Sequence, residues 1–425
     1  MQQFTALFLR EFRSYFRNLS VYFVLFVYLF ASIGTAFYFG SYLGMHDMSL
    51  YALFYAQPII AAVLIPVLTM RSWAEEYRSG TIESLLTQPV SFSILAAAKF
   101  CAVSTFGVLA MLGLLPFIIY SAGWLNLDWQ NIITNELGLL FVMLFFSAAG
   151  IFISALTSNL ILAYLLSFFG LAVWVALPCF GLYAVYNNFL FAEIGVSDVL
   201  YFVSVTAVFV FFNIIVLSLQ SSSQKNKWQK AGVFMLILLA GAAFFNIALS
   251  NFFAGKADFT AAELYTPKKQ TVELLDNLQE PVTVDVFAAK DYINANSDYF
   301  HYLQQIQRFL RRYQRLSGGI VSVNITYVEP FSELEEKVLE KGLYLETNAG
   351  GSRNYLGAVV RTSDGKEAVI KQFLLQRQPW LEKDIDMALL KVTEPERIKN
   401  VGVFVDNMQN LDGLQEILLN WENDY

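Results

Sequence analysis

The sequence predicts an α-helical polytopic membrane protein of about seven spans, followed by an extracytoplasmic α/β domain and the start of a second, incomplete one. Of its 425 residues, 56% are hydrophobic and 16% aromatic, and its mean hydropathy of +0.49 is too apolar for a soluble protein. After residue 255 the pattern changes to short alternating strands and helices. A membrane-spanning helix needs roughly 20 apolar residues. Seven segments meet this length: 21–40, 51–70, 97–120, 137–156, 160–186, 199–220 and 231–250.

Residues 1–20 predict an amphipathic helix that lies in the plane of the lipid headgroups. They combine Arg10, Arg13 and Arg17 with aromatic residues at helical spacing, which is typical of interfacial helices. The charged flank of a signal anchor is the alternative, and the regular aromatic spacing favours the interfacial helix. Its apolar face comprises Phe4, Phe8, Phe12, Tyr15, Phe16 and Leu19.

The basic residues predict the orientation of the spans. Within residues 1–255, every Lys and Arg falls before the first span, between the second and third (counting Lys99, at the edge of the third), or between the sixth and seventh. By the positive-inside rule, these segments and the N-terminus are cytoplasmic. Seven crossings then place the chain after about residue 251 outside the membrane.

The segment 71–91, which we call the elbow, is the longest polar interruption among the first spans. Its composition predicts two short helices. Gly80 can end the first in the left-handed conformation. Thr81 is a natural N-cap for the second, and Glu83 in the first turn complements the helix dipole.

The second elbow helix also has an apolar side and an end. Leu85 and Leu86 can be buried, and Pro89 stops the helix. A structured amphipathic segment predicts a docking surface, since a simple connector needs only a few polar residues. A solvated hairpin without a partner is the alternative.

The run from Glu75 to Leu86, closed by residues 88–91, resembles the cytoplasmic signature of type-2 ABC exporter permeases. In that family an E-x-x-x-G-T-x-E-x-L-L-x-x-P element follows the second span and includes the coupling helix that rests on the ATPase subunit. The resemblance assigns ATPase coupling to Glu75, Glu76, Arg78, Gly80, Thr81, Glu83, Leu85, Leu86 and Pro89.

The resemblance implies a six-span permease domain over residues 21–220 that couples ATP hydrolysis by a separate subunit to export or remodelling across the bacterial inner membrane. It implies a homodimer or pseudo-dimer, and no cofactor in this chain, with ATP on the partner. The alternative is a non-transporting membrane scaffold whose outer domain binds cell-envelope or motility components. Among the segments that span the bilayer, no ionisable residue lies mid-span, which argues against ion-coupled transport.

Two features inside the spans predict helix geometry. Gly150, Ser154 and Ser158 are small residues at four-residue spacing, which lets another helix approach closely. The fifth span, 160–186, is unusually long, and the resemblance implies a break into short re-entrant helices near Pro178. Proline removes a donor and usually kinks a helix, and the spans contain four: Pro58, Pro66, Pro116 and Pro178.

Residues 221–230 predict a cytoplasmic linker, residues 231–250 the seventh span, and residues 256–398 the α/β domain. Alternating apolar residues predict strands near 282–286 and 321–327, and Asp364-Gly365 predicts a hairpin turn. The order β-α-β-α-β-β-α is compatible with a thioredoxin-like sandwich.

This second half resembles the start of gliding-motility-type ABC auxiliary proteins. The resemblance rests on Tyr265 to Thr271, on a Leu-rich helix followed by Pro281-Val282, and on motifs at 356–360 and 382–389. Val328-Glu329-Pro330 has Glu where the family usually has Asp, so any role tied to that Asp is in doubt.

Residues 399–425 predict a further strand, 401–405, and a helix, 411–421. A single βα unit cannot bury its apolar faces alone. We therefore expect that a second α/β domain is cut short at Tyr425.

Several classes of chemistry have no support in the sequence. A phosphate-binding P-loop, a nucleophile elbow and a zincin helix are all missing, and the outer part lacks the thiol that redox catalysis needs. We therefore expect no enzyme and no metal site. The net charge of −7 belongs wholly to the C-terminal part, which argues against nucleic acid as a partner. The arginine face 308–315 indicates an anionic ligand or, with more support, a solvated face or an acidic contact.

Overall fold

The structure is a computed structural model. It describes residues 2–39, 50–87, 89–123, 127–220, 227–253, 255–261, 263–295, 297–347 and 353–397. The predicted strand and helix in 399–425, and residues 221–226 of the predicted linker, lie outside these residues.

The first half of the chain is helical. An amphipathic helix is followed by long apolar helices and by short helices that connect them. The helices are α1 (Gln2–Phe16), α2 (Leu19–Phe39), α3 (Tyr51–Tyr55), α4 (Gln57–Ser79), α5 (Thr81–Leu86), α6 (Phe92–Leu112), α7 (Leu115–Ala122), α8 (Trp129–Ser154), α9 (Leu160–Ala176), α10 (Leu182–Leu190), α11 (Val196–Gln220) and α12 (Lys227–Phe252).

In the described part of the chain, six helices are long and apolar enough to cross a membrane, rather than the seven that the sequence predicts. The exception is the predicted span 160–186, which is not one helix. It comprises α9, of 17 residues, a 3₁₀ turn at Pro178–Phe180, and α10. Pro178 cannot donate a helical hydrogen bond, and Gly181 then adopts φ 71°, so the chain changes direction here.

The other prolines also act mainly at helix starts. Pro58 lies in the first turn of α4 and Pro116 in the first turn of α7, where the missing N–H has no helical partner to lose. Only Pro66 lies inside a helix among the four. Proline therefore delimits these helices more than it kinks them, contrary to the expectation.

The close helix approach expected at Gly150 and Ser154 is confirmed, between α8 and α4. A Cβ built on Gly150 would lie 2.9 Å from Thr69 Cβ, so only glycine fits. Ser154 Oγ donates to the Met70 carbonyl at 2.9 Å and accepts the Trp73 N–H at 3.2 Å. Ser158 is exposed beyond the end of α8 and takes no part.

The α/β domain of residues 256–397, which we call the outer domain after its predicted location, contains a four-stranded mixed sheet in the order β4-β3-β7-β8. β3 pairs in parallel with β4 and antiparallel with β7, which pairs antiparallel with β8. The turn at Asp364-Gly365 joins β7 to β8 as predicted, with Gly365 at φ 84°. The strands are β1 (Glu193–Gly195), β2 (Lys256–Asp258), β3 (Val282–Ala289), β4 (Val321–Val328), β5 (Glu346–Thr347), β6 (Arg353–Asn354), β7 (Leu356–Thr362) and β8 (Glu367–Ile370).

Helices cover both faces of this sheet. Val284 and Val360 are fully buried on one face together with Ile306 and Ile385, while Val359 packs against α16 on the other. The alternating apolar residues of the sequence therefore form a layered core. The helices of this domain are α13 (Lys269–Asp276), α14 (Lys290–Ala295), α15 (Ser297–Leu316), α16 (Glu333–Glu340) and α17 (Leu381–Thr393).

The outer domain and the elbow lie at opposite ends of the helix bundle. α4 is about 34 Å long at 1.5 Å per residue, and the elbow follows its last residue. Just before its first residue, Tyr51 contacts His301 of the outer domain, with ring centres 4.3 Å apart and the rings tilted by 43°. α8 runs in the opposite direction, because Asp128 at its start accepts the Ala261 N–H at 3.0 Å.

Candidate functional site

The chain turns sharply at Gly80, between α4 and α5. Gly80 has φ 72° and ψ 4°, a left-handed conformation that is unfavourable for residues with a Cβ. Its N–H donates to the Tyr77 carbonyl, which would otherwise lack a helical partner. The prediction that Gly80 ends a helix is confirmed. Gly80 ends α4 itself and not a separate short helix. α4 continues to Ser79, whereas the predicted span 51–70 stopped at residue 70.

Thr81 does not cap α5, so the predicted N-cap is wrong. Gly80 occupies the cap position, no side chain caps the helix, and Thr81 is its first residue. The Thr81 hydroxyl instead donates to the Glu76 carboxylate and lies 2.9 Å from Ser79 Oγ. Because the turn consists of Gly80 alone, Thr81 is brought against α4 and ties the start of α5 to it.

α5 has one buried and one exposed side. Ile82 and Leu85, three residues apart, are buried in the membrane-domain core, which confirms the prediction for Leu85. Glu83 and Ser84 are exposed, and Glu83 lies in the first turn as expected. The Leu86 side chain lies outside the part of the chain that the structure describes. The exposed side of α5 is therefore polar, and its opposite side packs in the apolar core of the membrane domain.

Four charged side chains join α1, α4 and α6 behind this turn, and we call them the elbow ion cluster: Arg10, Glu11, Glu76 and Lys99. Lys99 Nζ lies 3.1 Å from Glu11 Oε2 and 3.5 Å from Glu76 Oε1. Arg10 Nη2 lies 2.6 Å from Glu11 Oε1 and 4.0 Å from Glu76 Oε1. The Lys99 side chain is only 3% exposed. A buried cation of this kind is stable only when carboxylates compensate it.

Glu11 is held by two cations, Lys99 and Arg10, and Lys99 also contacts an aromatic ring. Burial raises the pKa of Glu11, but Lys99 and Arg10 outweigh it and hold the pKa below its ordinary value. The Lys99 ammonium also lies 4.7 Å from the centre of the Trp73 ring, within cation–π range. The cluster is therefore an ionic clamp between three helices.

The remaining predicted residues lie on the exposed side of the same region. Glu75 and Arg78 are exposed on the last turns of α4. Pro89 is exposed, and its carbonyl accepts a hydrogen bond from Gln3 Nε2 at 3.4 Å. The contact with Gln3 brings the start of α1 against the elbow.

Tyr77 connects the elbow to the last residues of two other membrane helices, α8 and α11. Its hydroxyl donates to Gln220 Oε1 at 2.5 Å, and Gln220 Nε2 donates to the Ala155 carbonyl at 3.4 Å. The ends of α4, α8 and α11 therefore meet at one place. These contacts tie the elbow to the ends of α8 and α11.

A cavity of about 760 Å³ opens beside the elbow ion cluster, between α1, the start of α2 and α4. Its wall carries Arg17, Arg71 and Glu75 as well as the cluster itself. Polar groups from solvent or from a bound protein can therefore reach the face of α4 that leads into the elbow.

Sequence reasoning missed Ile82, Glu11 and Lys99 as parts of this site. Ile82 shares a face with Leu85 at helical spacing, a signal that the sequence does contain. Lys99 falls at the start of a predicted span, where a cation needs a compensating carboxylate. The choice of Glu11, 88 residues away, depends on how α1 packs against α6.

The side chains of this site hold α1, α4, α5 and α6 together. Among the residues that the structure describes, no group of three or more His, Cys, Asp or Glu is placed to hold a metal ion. α4 instead runs from one end of the bundle to α5 at the other, and the elbow ion cluster holds its last turns against α1 and α6.

Two separate parts of the chain match models of known protein families. Residues 7–174 match the ABC-2 family transporter protein family, and residues 261–361 match a domain of unknown function, DUF7088. No curated protein and no solved structure matches the chain. The elbow and the elbow ion cluster both lie within the residues that match the ABC-2 family transporter protein family.

Proposed function

We propose that this chain is the permease subunit of an ABC transport system whose elbow docks on a separate ATPase subunit. The ABC-2 membrane domain supports a multi-pass permease subunit and implies a partner ATPase. The observation that carries the docking proposal is the pose of α5. Its buried Ile82 and Leu85 hold it to the bundle while Glu83 is exposed at the end remote from the outer domain.

ATP-driven closure of the partner would then move α5 and, through Gly80 and the elbow ion cluster, α4 and α1. Rigid-body displacement of packed helices is a common way to switch between two states. A homodimer or pseudo-dimer of this subunit would place two elbows against two ATPase subunits and re-gate the path between the permease halves. Export or remodelling across the bacterial inner membrane is the process we infer.

We place the elbow in the cytoplasm and the outer domain outside, in accordance with the positive-inside distribution of Lys and Arg. The elbow and the outer domain lie at opposite ends of the bundle, which supports an odd number of membrane crossings between the elbow and residue 256. α9 supplies the additional crossing. Its 17 residues are at the lower limit for a span, and Trp174 near its end donates to Tyr201 at the start of α11 at 3.2 Å.

The outer domain, in this proposal, is a thioredoxin-like auxiliary domain related to those of gliding-motility-type ABC systems. The order β-α-β-α-β-β-α and the central position of β3 support the thioredoxin-like part. Thr271 and Glu382, which belong to two separate motifs of that resemblance, meet at 2.6 Å. The two motifs are therefore neighbours in the folded domain.

The test is a mild-detergent pull-down of the tagged chain from its native membranes, with assay of the bound ATPase activity. We expect Glu83→Arg to reduce the recovered ATPase activity by about tenfold or more, because a like charge at a docking surface costs several kcal/mol. Glu280→Arg is the matched control, since Glu280 is exposed on the outer domain and its reversal should leave recovery unchanged.

An ATPase that is recovered equally well with Glu83→Arg would overturn docking through α5. Recovery of cell-envelope proteins without ATPase activity would overturn the permease proposal. That result would instead support the membrane scaffold, in which the elbow anchors another cytosolic partner.

A further inference from the structure

A groove of about 440 Å³ lies where the outer domain meets the membrane helices, at the end of the molecule remote from the elbow. α10 forms one wall and α15 the other. The groove is lined by polar and charged side chains, and we call it the interface groove. Its charged members are Lys256, Arg308, Arg311, Arg315 and Glu193.

The membrane domain compensates only part of this positive charge. Arg308 Nη1 lies 3.2 Å from Glu193 Oε2, and Arg312 Nη1 lies 3.6 Å from Glu193 Oε1. Glu193 is thus engaged by two cations. This contact is the acidic contact that the sequence indicates for part of the arginine face.

Three cations of the groove form no ion pair of this kind. Among the described residues, none pairs a carboxylate with Lys256, Arg311 or Arg315 within ion-pair distance. Lys256 donates to the neutral amide oxygen of Asn188 at 2.8 Å, and Arg315 Nε donates to the Arg311 carbonyl at 3.5 Å. The nearby Asp198 accepts a hydrogen bond from the Asn188 amide at 2.9 Å and attracts Lys256 without forming an ion pair with it.

The side chains of these cations line the same groove and lie close to one another. Arg308, Arg311 and Arg315 are three and four residues apart, so they follow one face of α15. Burial lowers the pKa of Lys256 despite the attraction of Glu193 and Asp198, and Arg308 and Arg315 lower it further. The ammonium group is therefore close to like charges and partly desolvated, a state that a bound anion would relieve.

The groove lies at the level where the membrane helices end. α10 ends at Leu190 and α12 ends at Phe252, four residues before Lys256. Phe252 is 87% exposed, as expected of a side chain in contact with lipid. The three cations without an ion-pair partner thus lie beside helix ends that would reach the lipid headgroups in a bilayer. The exposed Tyr327 adds a phenolic group to the lining of the groove.

We propose that the interface groove binds an anionic phosphate group through Lys256, Arg311 and Arg315. Guanidinium groups match phosphate oxygens with paired donors, and Lys supplies a point charge. The phosphate can belong to the headgroup of an anionic phospholipid or be free in solution. In either case, the bound anion would bridge α15 of the outer domain to the segment after α12, and so fasten the domain to the membrane surface.

The test uses the full chain in neutral detergent. Binding of short-chain phosphatidylglycerol and of phosphatidylcholine is measured by native mass spectrometry, and binding of inorganic phosphate by equilibrium dialysis with radiolabel. The variant is Arg311→Gln with Arg315→Gln, two exposed positions at which folding should persist. The control is Lys366→Gln with Lys391→Gln, which removes the same charge from exposed positions elsewhere on the outer domain.

We expect phosphatidylglycerol to bind in preference to phosphatidylcholine, and the arginine variant to bind it about tenfold more weakly than the control. If inorganic phosphate binds and only the arginine variant loses it, while the lipids show no preference, the groove takes the free anion. The proposal is overturned when the arginine variant and the control bind phosphatidylglycerol and inorganic phosphate equally. Because neither measurement involves the ATPase, failure here leaves docking through α5 unaffected.

Discussion

Lys99 on α6 lies 3.5 Å from Glu76 on α4, and Glu76 in turn accepts the hydroxyl of Thr81, the first residue of α5. The carboxylate therefore serves both as the partner of a buried cation and as the anchor of the helix that we propose for ATPase docking. Any movement of α5 changes the environment of Glu76, and through it the balance of charge around Lys99.

Replacing Lys99 by Met should destabilise the membrane domain by about 3 kcal/mol, because Glu11 and Glu76 lose a buried counter-charge. The measurement is thermal denaturation of the detergent-solubilised protein. Lys230→Met is the control, since Lys230 is an exposed residue near the start of α12. Equal denaturation temperatures for the two variants would contradict a structural role of the elbow ion cluster.

Replacing Gly80 by Ala should loosen the elbow. The left-handed backbone costs a residue with a Cβ about 1–2 kcal/mol, although a Cβ at Gly80 would meet nothing within 4 Å. We expect faster amide hydrogen exchange over residues 79–87, measured by mass spectrometry. Gly34→Ala also enters open space but has no positive φ, so exchange over the elbow should not change in that control. Unchanged exchange in both variants would argue that the turn is not under backbone constraint.

Replacing Gly150 by Ala should separate α8 from α4 and destabilise the protein by about 1–3 kcal/mol, the usual cost of overpacking. The added Cβ would lie 2.9 Å from Thr69 Cβ, closer than carbon atoms approach. At Gly107 the nearest atom would be Met143 Cβ at 3.8 Å, an ordinary contact. Gly107→Ala should therefore leave the denaturation temperature unchanged or raise it, and a loss as large as that of Gly150→Ala would refute this packing argument.

Asp386 should give the outer domain a pH-dependent stability. Burial raises its pKa from 3.8 to about 6, and nearby Glu382 adds to this, although the hydroxyls of Thr271 and Tyr313 oppose it. The folded domain therefore binds the proton more tightly than the unfolded chain. The stabilisation is fully present below about pH 4 and is lost as the pH rises through about 6.

The measurement is pulse proteolysis of the outer domain in urea, on the full chain in detergent, between pH 4 and 7. Asp386→Asn should remove this component, so its stability relative to the wild type should increase with pH by on the order of 3 kcal/mol. Burial also lowers the pKa of His301, to about 3, which gives a pH dependence of opposite sign. Since both proteins retain His301, its contribution cancels in the comparison, and parallel pH profiles would contradict the assignment to Asp386.

Much of the fold could be predicted because its signals are local. The length of apolar runs predicts membrane spans, and alternation of apolar residues predicts strands such as 282–286. The predictions failed where two local signals compete. At Thr81 a good capping residue follows a glycine that already occupies the cap position, and in 160–186 an apolar run continues through a proline that ends the helix.

The sequence by itself determined that this protein has a polytopic helical part with a charged elbow and an α/β part after it, since hydrophobic length, glycine conformation and strand period act over a few neighbouring residues. Only the tertiary structure decided that Lys99 lies between Glu11 and Glu76, and that Arg308 meets Glu193 across the domain boundary. The physical reason is that an ion pair between distant residues depends on how whole helices pack. Packing is set by the shapes of all the side chains between them, which no single stretch of sequence contains.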